Sequence, residues 1–490
     1  WVSPTGNDFT GLATQNNPIR TIKYALEIIA PSDDNIISIH LDEGIYSPSE
    51  NGEKFPINLI SNVNLAGIGE ELTILDAEQT NGLIYIKYCD NNTISDLSIT
   101  GGNTYASGGI YLNNTNPGGG MYLLFSDPTL NNITISNNIA DWGGGMFLEY
   151  SNPILNRVTI SNNIGYNSGG GMYIFGSTPT LNKVTISNNT GYNGGGINLY
   201  YSNPTFNNIT ISNNTAYFEG GGMYIFDSNP ILNNVTISNN SGYESGGIGL
   251  AYSTPIIINS IIWNNSPESI YLYSDDLPII TYSDIEGGWE DEGNINNDPL
   301  FTEPESNNYT LLPNSPCINT GNPYLWYADQ DGSIADMGTT GGLHAIPNFT
   351  SHDYGEVGDI GSDKQFNLYN YRETSITINS INFGTTSFTT DTSFPVTIAP
   401  FETGIINIKA NNITLGYVED IMRIVSDELP EGISLSLTVE GVEGIVLNGN
   451  LAGSYSASTY RISGDLTIAE GDTVYLYEGT QFLFEEGVSF

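Results

Sequence analysis

The chain has 490 residues, and its 54 Asp and Glu against 11 Lys and Arg give a formal net charge of −43. A field of this sign repels nucleic acids, polyanionic sugars and anionic lipid heads, so the composition excludes a nucleic-acid binder. The 56 glycines, with abundant Asn, Thr and Ser, disfavour helices and exclude an all-α fold. The sequence has no apolar run of about 18 residues, so we expect no membrane insertion.

The first predicted element is a helix at about 18–30, where Ile22, Ala25, Ile28 and Ile29 have helical spacing. Short strands are predicted after it at about 36–42, 57–66, 72–76 and 83–98. A capping helix followed by successive strands is the order expected at the start of a solenoid.

Between Pro128 and Pro255 the sequence repeats with a period of 25 or 26 residues. Repeats such as PTLNNITISNN and PILNRVTISNN alternate with glycine-rich motifs such as GGGMYIF. A period of this length is too short for a four-stranded propeller blade and suits one coil of a parallel β-helix. Coils stack at the ~4.8 Å strand spacing, so equivalent residues are expected to lie above one another.

This stacking predicts columns of identical side chains. We expect one column at a bend, where Asn tolerates the left-handed conformation and its amides bond coil to coil. It contains Asn131, Asn156, Asn182, Asn207 and Asn233. Pairs such as Asn162–Asn163 predict a second column. Residues such as Ile133, Ile135 and Met146 are expected to point inward and fill a narrow core.

Three stretches carry a family resemblance. The opening at 1–76, with PIRTIKYALEII and INLISNVNLAGIGEELTILDA, and the repeats at 128–265 resemble pectate-lyase-like right-handed parallel β-helix proteins. The closing segment at 298–345, with NSPCINTG, resembles that of bacterial surface proteins of the "choice-of-anchor" type. The resemblance implies a right-handed β-helix over 1–345. It does not fix an activity, because that superfamily includes lyases, hydrolases, esterases, adhesins and passive fibres.

The pattern changes after the repeats. Residues 346–443 show alternating strands such as SITINSINF, which favour a β-sandwich and resemble the immunoglobulin-like modules of surface proteins. Residues 444–490 resemble the entry into another β-helix and are interpreted as a further β module or an assembly segment. The predicted fold class is therefore all-β: a right-handed parallel β-helix with an N-terminal helix cap, an Ig-like β-sandwich and a short β segment.

Two cations are the candidate catalytic residues. Arg157 and Lys183 occupy the same repeat position on adjacent coils. A neighbouring cation can depress the pKa of a lysine and make it a base. The alternative is a pair of solvated charges.

Aromatic residues recur at three repeat positions and are expected on the outer surface. They would stack as a structural ladder, contact another subunit or bind glycan rings, and all three readings stay open. The predicted binding or assembly face comprises Tyr122, Phe147, Tyr173, Phe175, Tyr200, Tyr224, Phe226, Trp142, Tyr166, Tyr192, Tyr217 and Tyr243.

An acidic turn is a candidate calcium-binding site. Asp329, Asp331 and Asp336 surround a glycine, and their alternating oxygens suit a hard cation. The alternative is an acidic turn at the domain boundary. Calcium is the only cofactor that the sequence suggests.

Together these features predict a non-catalytic structural or adhesive protein. We expect it to be secreted, extracellular or on the cell surface, and to associate with itself or other surface proteins through its aromatic ladders and solenoid ends. Two alternatives stay open, a polysaccharide lyase or glycoside hydrolase and a non-catalytic glycan-binding protein.

Overall fold

The structure is a computed structural model of the chain. It describes residues 1–105, 118–324, 327–329, 333–341, 345–347, 349–358, 361–370, 372, 374–400, 402–411, 415–427, 432–442, 444–455, 458–469 and 472–484. These residues form two compact units, one up to residue 341 and one from residue 345 onward. The predicted domain boundaries within them stay predictions. No helix in the described part of the chain is long and apolar enough to span a membrane.

The N-terminal helix spans Ile22–Ile28 and is shorter than the predicted 18–30. Thr21 caps it through its side chain, and the buried carboxylate of Glu53 accepts the first helical amide at 2.6 Å. Two acceptors at the helix start satisfy amides that have no partner within the helix. The Ile28 side chain is 50% exposed, so the predicted apolar stripe covers only the start of the helix.

Three parallel sheets form the solenoid of the first unit. The longest, called the long sheet, has 17 strands: Ile37–His40, Gly44–Tyr46, Val63–Ala66, Thr73–Asp76, Thr93–Thr100, Thr129–Ser136, Ile154–Ser161, Thr180–Asn182, Thr185–Ser187, Thr205–Asn207, Thr210–Ser212, Ile231–Asn233, Thr236–Ser238, Ile256–Ile258, Ile261–Trp263, Ile279–Thr281 and Asp284–Ile285. The second, called the nine-stranded sheet, comprises Ile57–Leu59, Ile84–Lys87, Met121–Leu124, Met146–Glu149, Met172–Phe175, Ile197–Tyr200, Met223–Phe226, Ile248–Ala251 and Ile270–Leu272. The third has four strands: Ile139–Trp142, Ile164–Ser168, Thr190–Gly191 and Thr215–Ala216.

Equivalent residues pair from coil to coil, which confirms the predicted stacking. In the predicted Asn131 column, the Nδ2 of every Asn after the first donates to the Asn Oδ1 one coil earlier at 2.9–3.1 Å. The second column runs through Asn138, Asn163, Asn189, Asn214, Asn240 and Asn265, with side-chain hydrogen bonds of 3.0 Å. Ile133, Ile135 and Met146 are fully buried, as expected for the core.

One detail of the Asn131 column is wrong. The left-handed residue is the next one along the chain, and it is Arg157 or Lys183 in two coils, at φ 53° and 52°. Asn156 itself lies in a strand, and the pairing of that strand is interrupted only at Arg157 and resumes at Val158. The bend therefore falls one position later than the sequence analysis placed it.

The closing segment folds back along the long sheet. The amide of Asn322 donates to Asn259 Oδ1 at 2.6 Å, and the amide of Thr339 donates to Thr236 Oγ1 at 3.1 Å. The segment also contains an antiparallel pair, Phe301–Glu303 and Asn308–Leu311, around the 3₁₀ turn Pro304–Ser306. The closing residues thus take side chains of the long sheet and of its bend as hydrogen-bond partners.

The second unit contains sheets of four and five strands that are consistent with the predicted β-sandwich. The phenol of Tyr354, in the five-stranded sheet, donates to the carbonyl of Ile408, in the four-stranded sheet, at 3.1 Å. The four-stranded sheet comprises Ala345–Pro347, Ser362–Asn370, Phe388–Thr390 and Thr403–Ala410, and the five-stranded sheet Ser351–Val357, Ile376–Phe383, Val396–Ile398, Gly416–Ser426 and Ile433–Gly441. Its immunoglobulin-like character stays a prediction.

Parallel pairing returns near the end of the chain. The strands Ile445–Asn450, Thr459–Thr467 and Gln481–Phe484 form one sheet, and Gly453–Tyr455 pairs with Val474–Leu476 in another. Two small parallel sheets from successive segments are the pairing pattern of a solenoid.

Candidate functional site

The aromatic residues on the outside of the nine-stranded sheet are mostly covered. Tyr122, Phe147 and Tyr173 are only 8–9% exposed. Phe147 lies 5.3 Å from the Tyr122 ring and 5.1 Å from the Tyr173 ring between centroids, and Trp142 packs against Tyr173 at 5.0 Å. The rings of this column bury one another and their neighbours cover them, so little of the column is accessible to another subunit or to a glycan.

The next outward position forms a half-buried stack. The rings of Phe175 and Tyr200 lie 6.0 Å apart at 16°, and those of Tyr200 and Phe226 lie 4.6 Å apart at 5°. Tyr224 is also half-buried. Because the faces of this stack are directed at one another, its outer surface consists mainly of ring edges.

The remaining predicted aromatic position lies in, or directly after, the strands of the four-stranded sheet. Its tyrosines are exposed, with fractions of 44% for Tyr166, 48% for Tyr192, 63% for Tyr217 and 75% for Tyr243. The structure therefore separates the predicted face into a buried column, a half-buried stack and an exposed column on different parts of the coil.

A second exposed aromatic column was not predicted from the sequence, and we call it the tyrosine edge. It consists of Tyr88, Phe125, Tyr150, Tyr201 and Tyr252. Each residue follows directly after a strand of the nine-stranded sheet, adopts a left-handed conformation with φ between 47° and 56°, and is 44–69% exposed. Bulky side chains rarely adopt this conformation, so the surrounding structure must impose it.

The local sequence explains how the tyrosine edge is held. A bend motif recurs as FSDP from Phe125, YSNP from Tyr150 and Tyr201, and YSTP from Tyr252. The serine of each motif is buried. The amides of Ser126, Ser151 and Ser202 each donate to the serine hydroxyl one coil later, as in Ser126 to Ser151 at 3.1 Å. An inward serine directs the residues on both sides outward. The recurrence of this motif was the sequence feature from which the exposed aromatic column could have been predicted.

The ring contacts differ along the tyrosine edge. Tyr88, Phe125 and Tyr150 form a continuous stack, with centroids 5.4 and 5.0 Å apart and planes within 15°. Tyr201 instead lies at 75–80° to the rings of the half-buried stack. Tyr201 therefore packs nearly perpendicular to these rings, and it remains 50% exposed.

A polar column runs beside the tyrosine edge. It contains Asp127, Asn152, Thr178, Asn203, Asn229 and Thr254, all exposed. The Asn oxygens accept backbone amides one coil later, for example Thr178 to Asn152 at 2.7 Å and Thr254 to Asn229 at 2.7 Å. The oxygens are therefore occupied, and the Nδ2 groups of Asn152 and Asn229 remain as donors at the surface.

The candidate catalytic pair lies elsewhere. Arg157 and Lys183 occupy the bend of the long sheet, on adjacent coils, at the left-handed position described above. This location separates them from the aromatic columns of the nine-stranded sheet. Their predicted catalytic role stays a prediction.

The structure brings together a different set of ionisable residues. Lys87 Nζ lies 4.7 Å from the ring centre of Tyr85 and 4.8 Å from that of Tyr122, and the Tyr122 phenol donates to Glu149. Burial lowers the pKa of Lys87, and the charge of Glu149 partly opposes this. Sequence spacing did not reveal the cluster, because Lys87 precedes the regular repeats.

The calcium prediction remains open. Asp329 Oδ2 accepts the amide of Asp336 at 3.0 Å, and Asp336 Oδ1 accepts the amide of Asn319 at 2.7 Å. Asp331 lies outside the described residues. Among the residues that the structure describes, no group of three His, Cys, Asp or Glu is placed to hold a metal ion.

The chain was compared with known protein families, curated proteins and solved structures. No curated protein matches the chain. A solved protein of unknown function from Porphyromonas gingivalis W83 is similar over 20% of this chain and 46% of its own length, with 12% identity and a TM-score of 0.18. The chain thus spans less than half of that protein.

Two other solved structures are similar over longer stretches. Pectin methylesterase PemA from Erwinia chrysanthemi is 12% identical over 63% of this chain and 94% of its own, with a TM-score of 0.30. The A-module of mannuronan C-5 epimerase AlgE6 from Azotobacter vinelandii is 15% identical over 52% of this chain and 91% of its own, with a TM-score of 0.26.

The family model described as "Right handed beta helix region" matches residues 12–217 and 119–285. These ranges contain every described strand of the nine-stranded sheet and both asparagine columns. They cover more than half of the chain, and the strands of the nine-stranded sheet within them pair in parallel. The chain belongs to the right-handed β-helix family.

Proposed function

We propose that this protein is a non-catalytic, exported surface or extracellular protein that attaches to its partner through the tyrosine edge. The observation that carries the proposal is the exposure of five aromatic rings at equivalent bends of one solenoid face. Contiguous exposed apolar surface on a soluble protein usually marks an interaction site. Tyrosine suits such a site because it combines a large ring with a polar group.

The composition supports a location outside the cytoplasm. The chain carries few lysines, a net charge of −43 and many Asn, Ser and Thr side chains. The resemblance of its closing segment to those of bacterial surface proteins favours the same location. An exported solenoid with an exposed aromatic edge is suited to adhesion or to assembly with further surface proteins.

A retention experiment tests the proposal. The full chain is passed over insoluble cell-wall polymers, with a variant that carries Tyr150→Ser, Tyr201→Ser and Tyr252→Ser. We expect retention to fall about tenfold or more, because three exposed rings are removed. The matched control carries Tyr166→Ser, Tyr192→Ser and Tyr243→Ser, which removes equally exposed tyrosines of the other column and is expected to leave retention unchanged.

One result of the retention experiment would contradict the proposal. Equal retention of the wild type and the tyrosine-edge variant would refute attachment through this edge. Sedimentation velocity on the same proteins identifies self-association, since concentration-dependent association that the variant loses would make a second copy the partner.

A second candidate function is that of a polysaccharide lyase or glycoside hydrolase. The observation that favours it is the cluster of Lys87, Tyr122 and Glu149, where a partly desolvated amine lies beside a phenol and a carboxylate. Groups of this kind serve as general acids and bases. Release of reducing ends or unsaturated uronates, lost in Lys87→Met and kept in Lys183→Met, would establish this function in place of the first.

A further inference from the structure

We infer that the tyrosine edge binds a neutral, extended, β-linked polysaccharide chain that lies along the solenoid axis. This inference rests on the proposed function and names the partner of the same site. Three features of the edge carry it: the spacing of its rings, the donors beside them and its charge.

The ring spacing is the first feature. From Tyr150 onward the bend position alternates between rings and residues without rings, in the order Tyr150, Gly176, Tyr201, Asp227 and Tyr252. Rings therefore recur every second coil, about 9.6 Å apart at the ~4.8 Å coil spacing. In an extended β-1,4-linked glycan with twofold symmetry, successive sugars are turned over, so every second sugar presents the same apolar face. The alternation of the tyrosine edge fits this two-sugar repeat.

The ring surface and its neighbours are the second feature. Tyr201 is 50% exposed and Tyr252 is 64% exposed, so a large part of each residue is accessible to a ligand. Beside the rings, the Nδ2 groups of Asn152, Asn203 and Asn229 point from bends whose Asn oxygens are already engaged. Apolar ring faces flanked by fixed hydrogen-bond donors match the apolar faces and the hydroxyl rims of sugar rings.

Charge is the third feature and decides which glycan. The carboxylates of Asp90, Asp127 and Asp227 are exposed along this edge, in a chain of net charge −43. A polyuronate would be repelled at each of these positions, as would a second copy of this chain. A neutral glycan meets no such penalty, and its hydroxyl groups can donate to the carboxylates.

Calorimetry on the full chain tests this inference with cellohexaose, xylohexaose, mannohexaose, cellobiose and polygalacturonate as probes. We expect at least one neutral hexaose to bind. We expect cellobiose and polygalacturonate to bind at least about tenfold more weakly, because a disaccharide reaches one ring and the polyuronate is repelled. Tyr201→Ala should weaken hexaose binding about tenfold, as for the loss of one stacking ring.

Matched variants separate binding from folding. Tyr201→Phe keeps the ring and should keep affinity within about threefold, and Tyr192→Ala removes an equally exposed tyrosine from the other column and should have no effect. Thermal unfolding of all variants shows that each is folded.

Three outcomes would overturn the inference. They are failure of every neutral hexaose to bind, binding of polygalacturonate with equal affinity, and unchanged affinity in Tyr201→Ala. If the triple tyrosine-edge variant loses retention while no hexaose binds, the inference fails and the proposed function stands. If that variant is retained like the wild type, both fail.

Discussion

The asparagine columns and the tyrosine edge come from the same repeat, yet they reverse the usual distribution of polar and apolar residues. Asn163 and Asn189 are fully buried, whereas Tyr201 is 50% exposed and Tyr252 is 64% exposed. The buried amides are acceptable because each finds partners one coil above and one coil below. In this solenoid, therefore, coil-to-coil pairing decides what is buried more than the polarity of the residue does.

The largest effect is expected inside an asparagine column. Asn189 donates to the Ile160 carbonyl and to Asn214 Oδ1, and its own oxygen accepts both the amide and the Nδ2 of Asn163. Asn189→Ala leaves several buried groups without partners and should lower the free energy of unfolding by roughly 3–5 kcal/mol. Urea denaturation measures this change.

The neighbouring residue provides the control. Asn188 is exposed and left-handed at φ 57°, so Asn188→Gly keeps the backbone and should change the free energy of unfolding little. Equal destabilisation by the two variants would mean that column pairing does not stabilise the solenoid.

A buried carboxyl extends the comparison to a charged group. Asp284 is fully buried and accepts the Cys317 thiol at 3.1 Å, and burial raises its pKa from 3.8 to about 6. The folded state therefore holds the proton more tightly than the unfolded chain. The resulting stability is fully present below pH 3.8 and is lost as pH rises through about 6. Asp284→Asn should thus stabilise the protein by about 3 kcal/mol at pH 8 and by little at pH 4.

Thermal unfolding across this pH range provides the measurement. Asp275→Asn removes an exposed carboxylate of the same unit and serves as the control. A stabilisation by Asp284→Asn that is equal at both pH values would contradict the assigned protonation behaviour.

A smaller effect is expected at a gap in the tyrosine edge. Gly176 has φ +58°, and a Cβ there would lie 2.6 Å from a carbon of the Tyr150 ring. Gly176→Ala should cost about 1–2 kcal/mol in backbone strain and somewhat more from displacement of the ring. Gly52 has φ +78° with no atom within 4 Å of such a Cβ, so Gly52→Ala measures the backbone part alone. Equal costs in denaturation would show that Tyr150 does not rest on Gly176.

The smallest effect concerns a candidate catalytic residue. Lys183 is left-handed at φ 52°, a position that other coils fill with Asn208 or Asn234. Because Asn tolerates this conformation better, Lys183→Asn should stabilise the solenoid by about 0.5 kcal/mol. Lys54→Asn, which replaces a lysine outside the left-handed region, is the control for the removed charge. Destabilisation by Lys183→Asn would show that the lysine makes a needed contact.

Several parts of the fold were predictable because they follow from the repeat period. Identical residues 25 or 26 positions apart must meet in register, which gave the Asn131 column and the inward Ile133 and Ile135. The left-handed position at Arg157 was placed one residue early, because the period fixes the partner of a residue and leaves its backbone conformation open.

The candidate site was less predictable. Alternation along a strand indicated correctly that Tyr122 and Tyr173 point away from the core, but it carries no information about what covers them. Lys87 and Glu149 come together although the segment between them does not follow the regular period. The bend motif of the tyrosine edge was visible in the sequence, and its meaning depended on which of its residues turned inward.

By itself, the sequence determined which residues stack, because a fixed period forces each side chain onto its equivalent in the next coil. The tertiary structure decided which stacked columns are accessible. Exposure depends on neighbours from other strands and bends: Trp142 and adjacent rings cover Tyr173, whereas an inward Ser202 leaves Tyr201 at the surface. Packing between elements is not encoded in the period of any one of them.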